Sequence, residues 1–108
     1  FNVILLSSNK NFQIICKQIK KYRPKYYLIN DFKTYKRVRN KYKKSNVKIL
    51  NSLDFNKKKI KSDITITAIP GMAGLAPTIN IISKTKKILI ANKESIICGW
   101  NIIIFIIF

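Results

Sequence analysis

The sequence predicts an α/β domain built on a doubly wound parallel sheet. Three observations carry that prediction. Short β-branched and aliphatic runs alternate with longer segments of helical periodicity. The short runs are apolar almost throughout, as strands covered on both faces are, rather than alternately apolar and polar. Polar residues suited to starting a helix follow several of the runs, as where a strand hands the chain to a helix at a sheet edge.

Val3 to Ser8 is the first strand, closing on Ser7, Ser8 and Asn9. Asn11 is placed to cap the helix that follows, with Phe12, Ile15, Cys16, Ile19 and Tyr22 on one face and Lys17, Lys20 and Lys21 on the other. Pro24 stops it, because the residue before a proline is pushed out of the helical region. Tyr26 to Ile29 is the second strand, and Asp31 caps a helix over about 32–44. That helix carries Lys33, Lys36, Arg37, Arg39, Lys41, Lys43 and Lys44 with no acid among them. Like charges at helical neighbour positions oppose it by roughly 0.2–0.5 kcal/mol each, so Tyr35, Val38 and Tyr42 must hold it by packing.

Val47 to Leu50 is a third strand, 52–61 a polar, Lys-rich connection, and Ile64 to Ile69 a strand of mostly β-branched residues. Gly71 and Gly74 form a turn in which backbone can approach a ligand or another element closely. Pro77 falls in the first turn of a helix reaching about Lys84, where its missing donor does no harm. Ile88 to Ala91 is the last strand, and a helix begins directly after it.

At 108 residues the chain is one domain at most, able to bury roughly two-thirds of the surface its unfolded form exposes. Its 22 Lys and Arg against 4 Asp and Glu give a formal charge of +18. Such a charge suits nucleic acid or an anionic membrane. Richness in Lys, Asn, Ile, Tyr and Phe with little Gly, Pro, Ala or Trp is also what a strongly AT-rich coding sequence produces without selection for binding. No zinc-finger spacing, aromatic-glycine RNA-binding pattern or heptad basic region accompanies the charge. There is no His, which removes His-based triads and His acid–base chemistry from this segment. Cys16 and Cys98 lie far apart without a Cys-x-x-Cys context, so neither a metal site nor a redox pair is indicated, and Cys16 reads as a small core residue.

The chain opens inside an apolar run without the cationic stretch and cleavage site of a signal peptide. Its end, 102–108, is apolar on every face, yet even counted from Ile96 it is shorter than the roughly 20 residues a membrane span needs.

Two stretches are more specific. One is Ala91-Asn92-Lys93-Glu94-Ser95, which sets a carboxamide, an ammonium and a carboxylate side by side beyond a strand's carboxyl end. The same residues also suit a plain helix start, with Asn92 as N-cap, Glu94 against the positive terminus and Lys93 in water. The other is Ala68-Ile69-Pro70-Gly71-Met72-Ala73-Gly74-Leu75-Ala76-Pro77-Thr78, one strand–helix unit earlier. Together they resemble 1-deoxy-D-xylulose 5-phosphate reductoisomerases, whose amino-terminal domain carries Ala-Ile-x-Gly-x-Ala-Gly-Leu-x-Pro-Thr followed by Ala-Asn-Lys-Glu-Ser. The likeness extends back to Phe1, where Ser8-Asn9-Lys10-Asn11 stands in the place of the family's Ala-Gly-Lys-Asn loop.

The resemblance implies a partial NADPH-binding, Rossmann-like domain over 1–100 that lacks its first strand and Gly-rich phosphate loop, followed by an aberrant apolar tail at 101–108. The family continues there as an amphipathic helix, and the departure points to a frameshift or an early end of the reading frame near Ile104. By the resemblance, Asn9, Lys10 and Asn11 contact the cofactor at its adenosine phosphate, Asn92 and Glu94 contact it near the nicotinamide, and Lys93 contacts the substrate. Asn9 stands where the family has a Gly, a replacement that Asn tolerates better than most in left-handed backbone. Nothing in the sequence explains Pro70 in place of a small aliphatic residue. The strand that ends in Ser7, Ser8, Asn9 and Lys10 offers hydroxyls and a cation where an NAD-binding strand offers a carboxylate, which favours a 2′-phosphate.

The implied activity is rearrangement of 1-deoxy-D-xylulose 5-phosphate and its reduction to 2-C-methyl-D-erythritol 4-phosphate, in non-mevalonate isoprenoid biosynthesis. A divalent metal, Mg or Mn, is implied on a downstream Asp-Ser-Glu motif, so this segment supplies no metal ligand and is expected to be inactive alone. A homodimer in the cytoplasm, or in a plastid-type organelle, acting on a small molecule rather than nucleic acid or membrane, completes the expectation. The missing first strand would lie at the sheet's centre, and each buried unpaired backbone group costs about 1–3 kcal/mol. The segment is therefore expected not to fold cooperatively alone.

Two other classes remain open on the residues. Another Rossmann-type NADP-dependent dehydrogenase would share the sheet but not Asn92-Lys93-Glu94. A basic nucleic-acid-binding module would need the 32–44 helix and would bind with a steep salt dependence.

Overall fold

The computed structural model describes residues 1–51, 59–69, 75–91, 93, 96, 97 and 99. The chain divides into two compact units, Phe1–Lys58 and Lys59–Phe108.

In the first unit, β1 (Leu5–Ser8), α1 (Phe12–Tyr22), β2 (Tyr26–Ile29), α2 (Phe32–Lys41) and β3 (Lys48–Leu50) follow in turn. The strands form one parallel sheet in the order β1-β2-β3, with Leu5 opposite Tyr26 and Tyr26 opposite Lys48. Both crossovers step the same way across the sheet, so right-handed connections place both helices on one face. Their inner residues meet there. Ile15 and Ile19 of α1 and Tyr35 and Val38 of α2 close on Tyr27 and Ile29 of β2, with Leu6, Phe12, Tyr42, Val47 and Ile49 packed around them. Full burial of each large apolar side chain contributes about 1.5–3 kcal/mol. Tyr26 and Leu50 are buried as well, and the register puts them on the opposite face of the sheet. Strand β2 is covered on both sides, which is why its sequence is apolar throughout.

Local chemistry sets the boundaries. Asn11 accepts from the Ile14 N–H at 3.1 Å and caps α1, as its position predicts. The helix closes on Arg23, whose backbone is left-handed (φ 46°, ψ 55°) and whose N–H reaches the Ile19 carbonyl at 3.0 Å. Asp31 caps α2, but that helix stops at Lys41, short of the expected 44. Beyond Tyr42 the sequence has no apolar side chain until Val47 to hold another turn against the core. The Ser45 hydroxyl and N–H both bond the Tyr42 carbonyl, at 3.0 and 3.1 Å, and close a turn instead. Cys16 is half-buried rather than a core residue, with the Lys41 ammonium 3.7 Å from its sulfur.

The described residues of the second unit include one βαβ crossover. β4 (Ser62–Thr67) pairs in parallel with β5 (Thr85–Ile90), and α3 (Leu75–Ile82) lies between them in sequence, with Pro77 in its first turn as expected. Thr67, Thr78, Ile81 and Ile82 are buried. Strand β5 begins earlier than Ile88 because the ladder extends back to Ser62 opposite Thr85. Lys86 points outward to Asp63, 3.0 Å away in an ion pair. Ile64, Ile66 and Leu89 remain exposed.

The parallel strands and their order agree with the expected Rossmann-like class. Hydrogen bonding divides them into two sheets, β1-β2-β3 and β4-β5, with β1 at the edge of the first. The turn at Gly71 and Gly74, most of the 52–61 connection, Asn92, Glu94 and the tail at 101–108 lie outside the described residues. No helix among the described residues is long and apolar enough to cross a membrane.

Candidate nucleotide-binding site

The loop from Ser8 to Asn11 leaves the carboxyl end of β1 and enters α1. Its backbone is fixed from the adjacent β2–α2 connection. The Asn30 N–H donates to the Ser8 carbonyl and the Asp31 N–H to the Asn9 carbonyl, both at 3.2 Å, while the Thr34 hydroxyl lies 3.5 Å from the Lys10 carbonyl. Asn11 turns its carbonyl oxygen inward to cap α1, which leaves its amide N–H groups for an incoming acceptor. Among the described residues Arg23 is the only non-glycine with positive φ. Asn9 therefore stands in the family's Gly position without left-handed backbone.

Electrostatically the loop invites an anion. Asn9, Lys10 and Asn11 are exposed, and Lys10 stands at the amino terminus of α1, where unpaired N–H groups and the helix dipole add positive potential. The neighbouring carboxylate is ionised, hydrogen-bonded to Thr34 and close enough to Lys10 to offset part of its charge. Asp31 accepts from the Thr34 hydroxyl at 2.7 Å and the Thr34 N–H at 3.1 Å. Those bonds, with Lys10 and Lys33 nearby, hold its carboxyl below the usual value of 3.8. No carboxylate lies at the end of β1 itself.

Beside the loop is an open concavity of about 630 Å³, lined by Lys10, Asn11, Phe12, Gln13 and Arg37. The Arg37 guanidinium lies over the Phe12 ring at 3.8 Å from its centroid. From the sequence, Arg37 belongs to the basic run of α2. The structure separates it from that run: Lys36, Arg39, Asn40 and Lys43 line a different concavity. The spacing of Thr34 and Arg37, three apart on α2, carries the signal once the right-handed crossover sets that face beside the first turn of α1.

In the second unit, the Ala91 N–H donates to the Thr67 carbonyl at 2.9 Å and closes the β4–β5 ladder. Lys93 follows it in helical backbone, exposed, just past the strand's carboxyl end. Asn92 and Glu94, its expected companions, lie outside the described residues. The loop residues and Lys93 belong to different units, and each is placed within its own.

A parallel sheet with a cationic loop and a helix amino terminus beyond a strand's carboxyl end is the arrangement of a Rossmann-like α/β domain. Residues 1–99 match the family described as 1-deoxy-D-xylulose 5-phosphate reductoisomerase. The chain belongs to that family. It is 42% identical over 108 residues to the reductoisomerase of Pelagibacter ubique, covering 95% of this chain and 28% of that protein. The corresponding protein of Wolbachia sp. subsp. Drosophila simulans is 37% identical over 105 residues, covering 96% and 27%. Among solved structures, the reductoisomerase of Zymomonas mobilis in complex with NADPH superposes with a TM-score of 0.83 at 29% identity, over 97% of this chain and 28% of that one. A second, in complex with NADPH, fosmidomycin and magnesium, has a TM-score of 0.83 at 21% identity over 96% and 26%, a likeness of fold. The chain thus spans little more than a quarter of the length of the relatives it matches.

Proposed function

We propose that the protein containing this chain is an NADPH-dependent 1-deoxy-D-xylulose 5-phosphate reductoisomerase. It rearranges that ketose phosphate and reduces the product to 2-C-methyl-D-erythritol 4-phosphate, in non-mevalonate isoprenoid synthesis. The observation that carries the reading is the pinned loop at the end of β1. It offers Lys10 and a helix amino terminus with no carboxylate at the strand's end, in a chain that shares its fold with an NADPH-bound relative.

Asn9, Lys10 and Asn11 bind the adenosine end of the cofactor, where a cation is matched to a 2′-phosphate and a carboxylate would repel it. Asn92 and Glu94 orient the nicotinamide end. When bound, NADPH supplies the hydride. The Lys93 ammonium, held at a strand terminus, steadies negative charge that develops on substrate oxygen during the rearrangement.

Among the described residues no three His, Cys, Asp or Glu side chains come together to hold a metal. The divalent metal, Mg or Mn, is assigned to protein outside residues 1–108, and no step here runs through it. The reading extends to a homodimer acting in the cytoplasm or a plastid-type organelle, on a small molecule.

The test is consumption of NADPH by the natural-length protein given 1-deoxy-D-xylulose 5-phosphate and Mg, with NADH as control. Lys93→Ala is expected to lower kcat/KM by at least about a hundredfold with the fold intact, the size seen when one oriented transition-state donor is removed. Undiminished turnover in that variant would remove Lys93 from the site. No substrate-dependent oxidation of NADPH by the wild type would overturn the activity.

A further inference from the structure

We infer that Arg37, on α2, is a second cation for the nucleotide's 2′-phosphate, opposing Lys10 of the β1–α1 loop. The inference rests on the NADPH reading of that loop and adds to it a residue from another element. Arg37 and Lys10 line the same concavity, together with Asn11, Phe12 and Gln13. A phosphate dianion has three free oxygens. One lysine meets it as a point charge, whereas a guanidinium meets two of its oxygens at once.

Three features suit Arg37 to the task. First, its guanidinium lies over Phe12 at 3.8 Å, so the side chain is already restrained before a ligand arrives. Second, it is uncommitted. Arg39 donates to the Tyr35 hydroxyl at 3.2 Å, but among the described residues no protein acceptor engages Arg37. Third, the element that carries it is tied to the loop: the Asp31 N–H, at the cap of α2, bonds the Asn9 carbonyl at 3.2 Å, and Arg37 lies on the same helix in the lining shared with Lys10. Asp31, the carboxylate nearest the loop, accepts from Thr34 and stays ionised, so it offsets part of the Lys10 charge and leaves a dianion in need of a second cation.

Specificity for the phosphorylated nucleotide is then shared by two elements. The loop supplies one charge and the face of α2 supplies the other.

The experiment is isothermal titration of the natural-length protein with adenosine 2′,5′-bisphosphate and with adenosine 5′-monophosphate. The ratio of the two affinities isolates the 2′-phosphate. The wild type is expected to prefer the bisphosphate, and Arg37→Gln to lose about tenfold of that preference with 5′-monophosphate binding unchanged. Arg37→Lys, which keeps charge but not the fork, is expected to recover only part. Lys10→Gln separates the two readings. If it abolishes the preference while Arg37→Gln leaves it whole, the role of Arg37 is overturned and the loop reading stands. Equal weakening of both ligands by Arg37→Gln assigns the residue to packing on Phe12 and also overturns the inference. A wild type without preference overturns both.

Discussion

The hydroxyl of Tyr27, a residue with no exposed surface, donates to the Gln18 side-chain oxygen at 2.5 Å and ties the central strand β2 to α1. The bond lets this phenol sit within the core cluster, because a buried hydroxyl without a partner costs about 1–3 kcal/mol. Tyr27→Phe removes donor and need together, and Gln18, only half-buried, can turn to water. The expected loss is about 1 kcal/mol, whereas Tyr27→Ala opens a cavity at the cluster's centre and is expected to cost about 3–5 kcal/mol. Urea midpoints of the natural-length protein measure both.

The same burial pushes the Tyr27 phenol above its ordinary value of 10.0, and burial with the adjacent Cys16 raises Tyr42 likewise. Both folded values lie above the unfolded one, so the native state keeps protons that the unfolded chain has released. Stability from these groups is complete below about pH 10 and is lost as pH rises through the folded values. Tyr27→Phe is expected to flatten part of this alkaline decline, and the double variant with Tyr42→Phe to flatten more. An unchanged decline in both would place the alkaline sensitivity elsewhere.

Asp31 gives the opposite sign. Its folded carboxyl titrates below the usual 3.8 because Thr34 donates to the ionised form. Its contribution is present above about pH 4 and is lost as pH falls through the folded value. Asp31→Asn keeps an acceptor for the Thr34 N–H, since Asn caps helices as well as Asp. The variant is expected to fold at neutral pH and to lose that part of the acid sensitivity, read from thermal midpoints between pH 3 and 6.

Arg23 closes α1 in the left-handed region, where the side chain of any residue but glycine is crowded. Arg23→Gly relieves that strain and removes one charge from a chain of net +18. A gain of about 1 kcal/mol is expected, visible as a higher urea midpoint. A loss would mean that flexibility of glycine in the unfolded chain outweighs the relief.

Much of the first unit was legible because its boundaries are chemical. Asn11 and Pro24 bracket α1, and Asp31 follows β2 with one residue between, so the expected spans of α1 and β2 match those observed. β5 was read too short because its apolar run begins only at Ile88, after Lys86 and Lys87. In the ladder they are strand residues with outward side chains, one paired with Asp63 and the other opposite Ile64. The loop residues Asn9, Lys10 and Asn11 were singled out by resemblance, and the structure places them between β1 and α1. Arg37 was not, since in sequence it is one cation among seven between Lys33 and Lys44. Only the packing of α2 beside α1 sets it over Phe12. Asp31 shows the same limit. Its capping side chain follows from its position, but its N–H bond to Asn9 exists only because β1 and β2 end side by side.

Ile64, Ile66 and Leu89 are 52%, 66% and 51% exposed. The register sets Ile66 opposite Leu89 and Ile64 on the same side of the two-strand ladder. Three aliphatic side chains thus form a contiguous adhesive stripe, the kind of surface that unfolded polypeptides and holdase chaperones seek. For a newly synthesised chain this makes β4–β5 a timing element. Until the stripe is shielded, it exposes the new chain to aggregation and proteolysis.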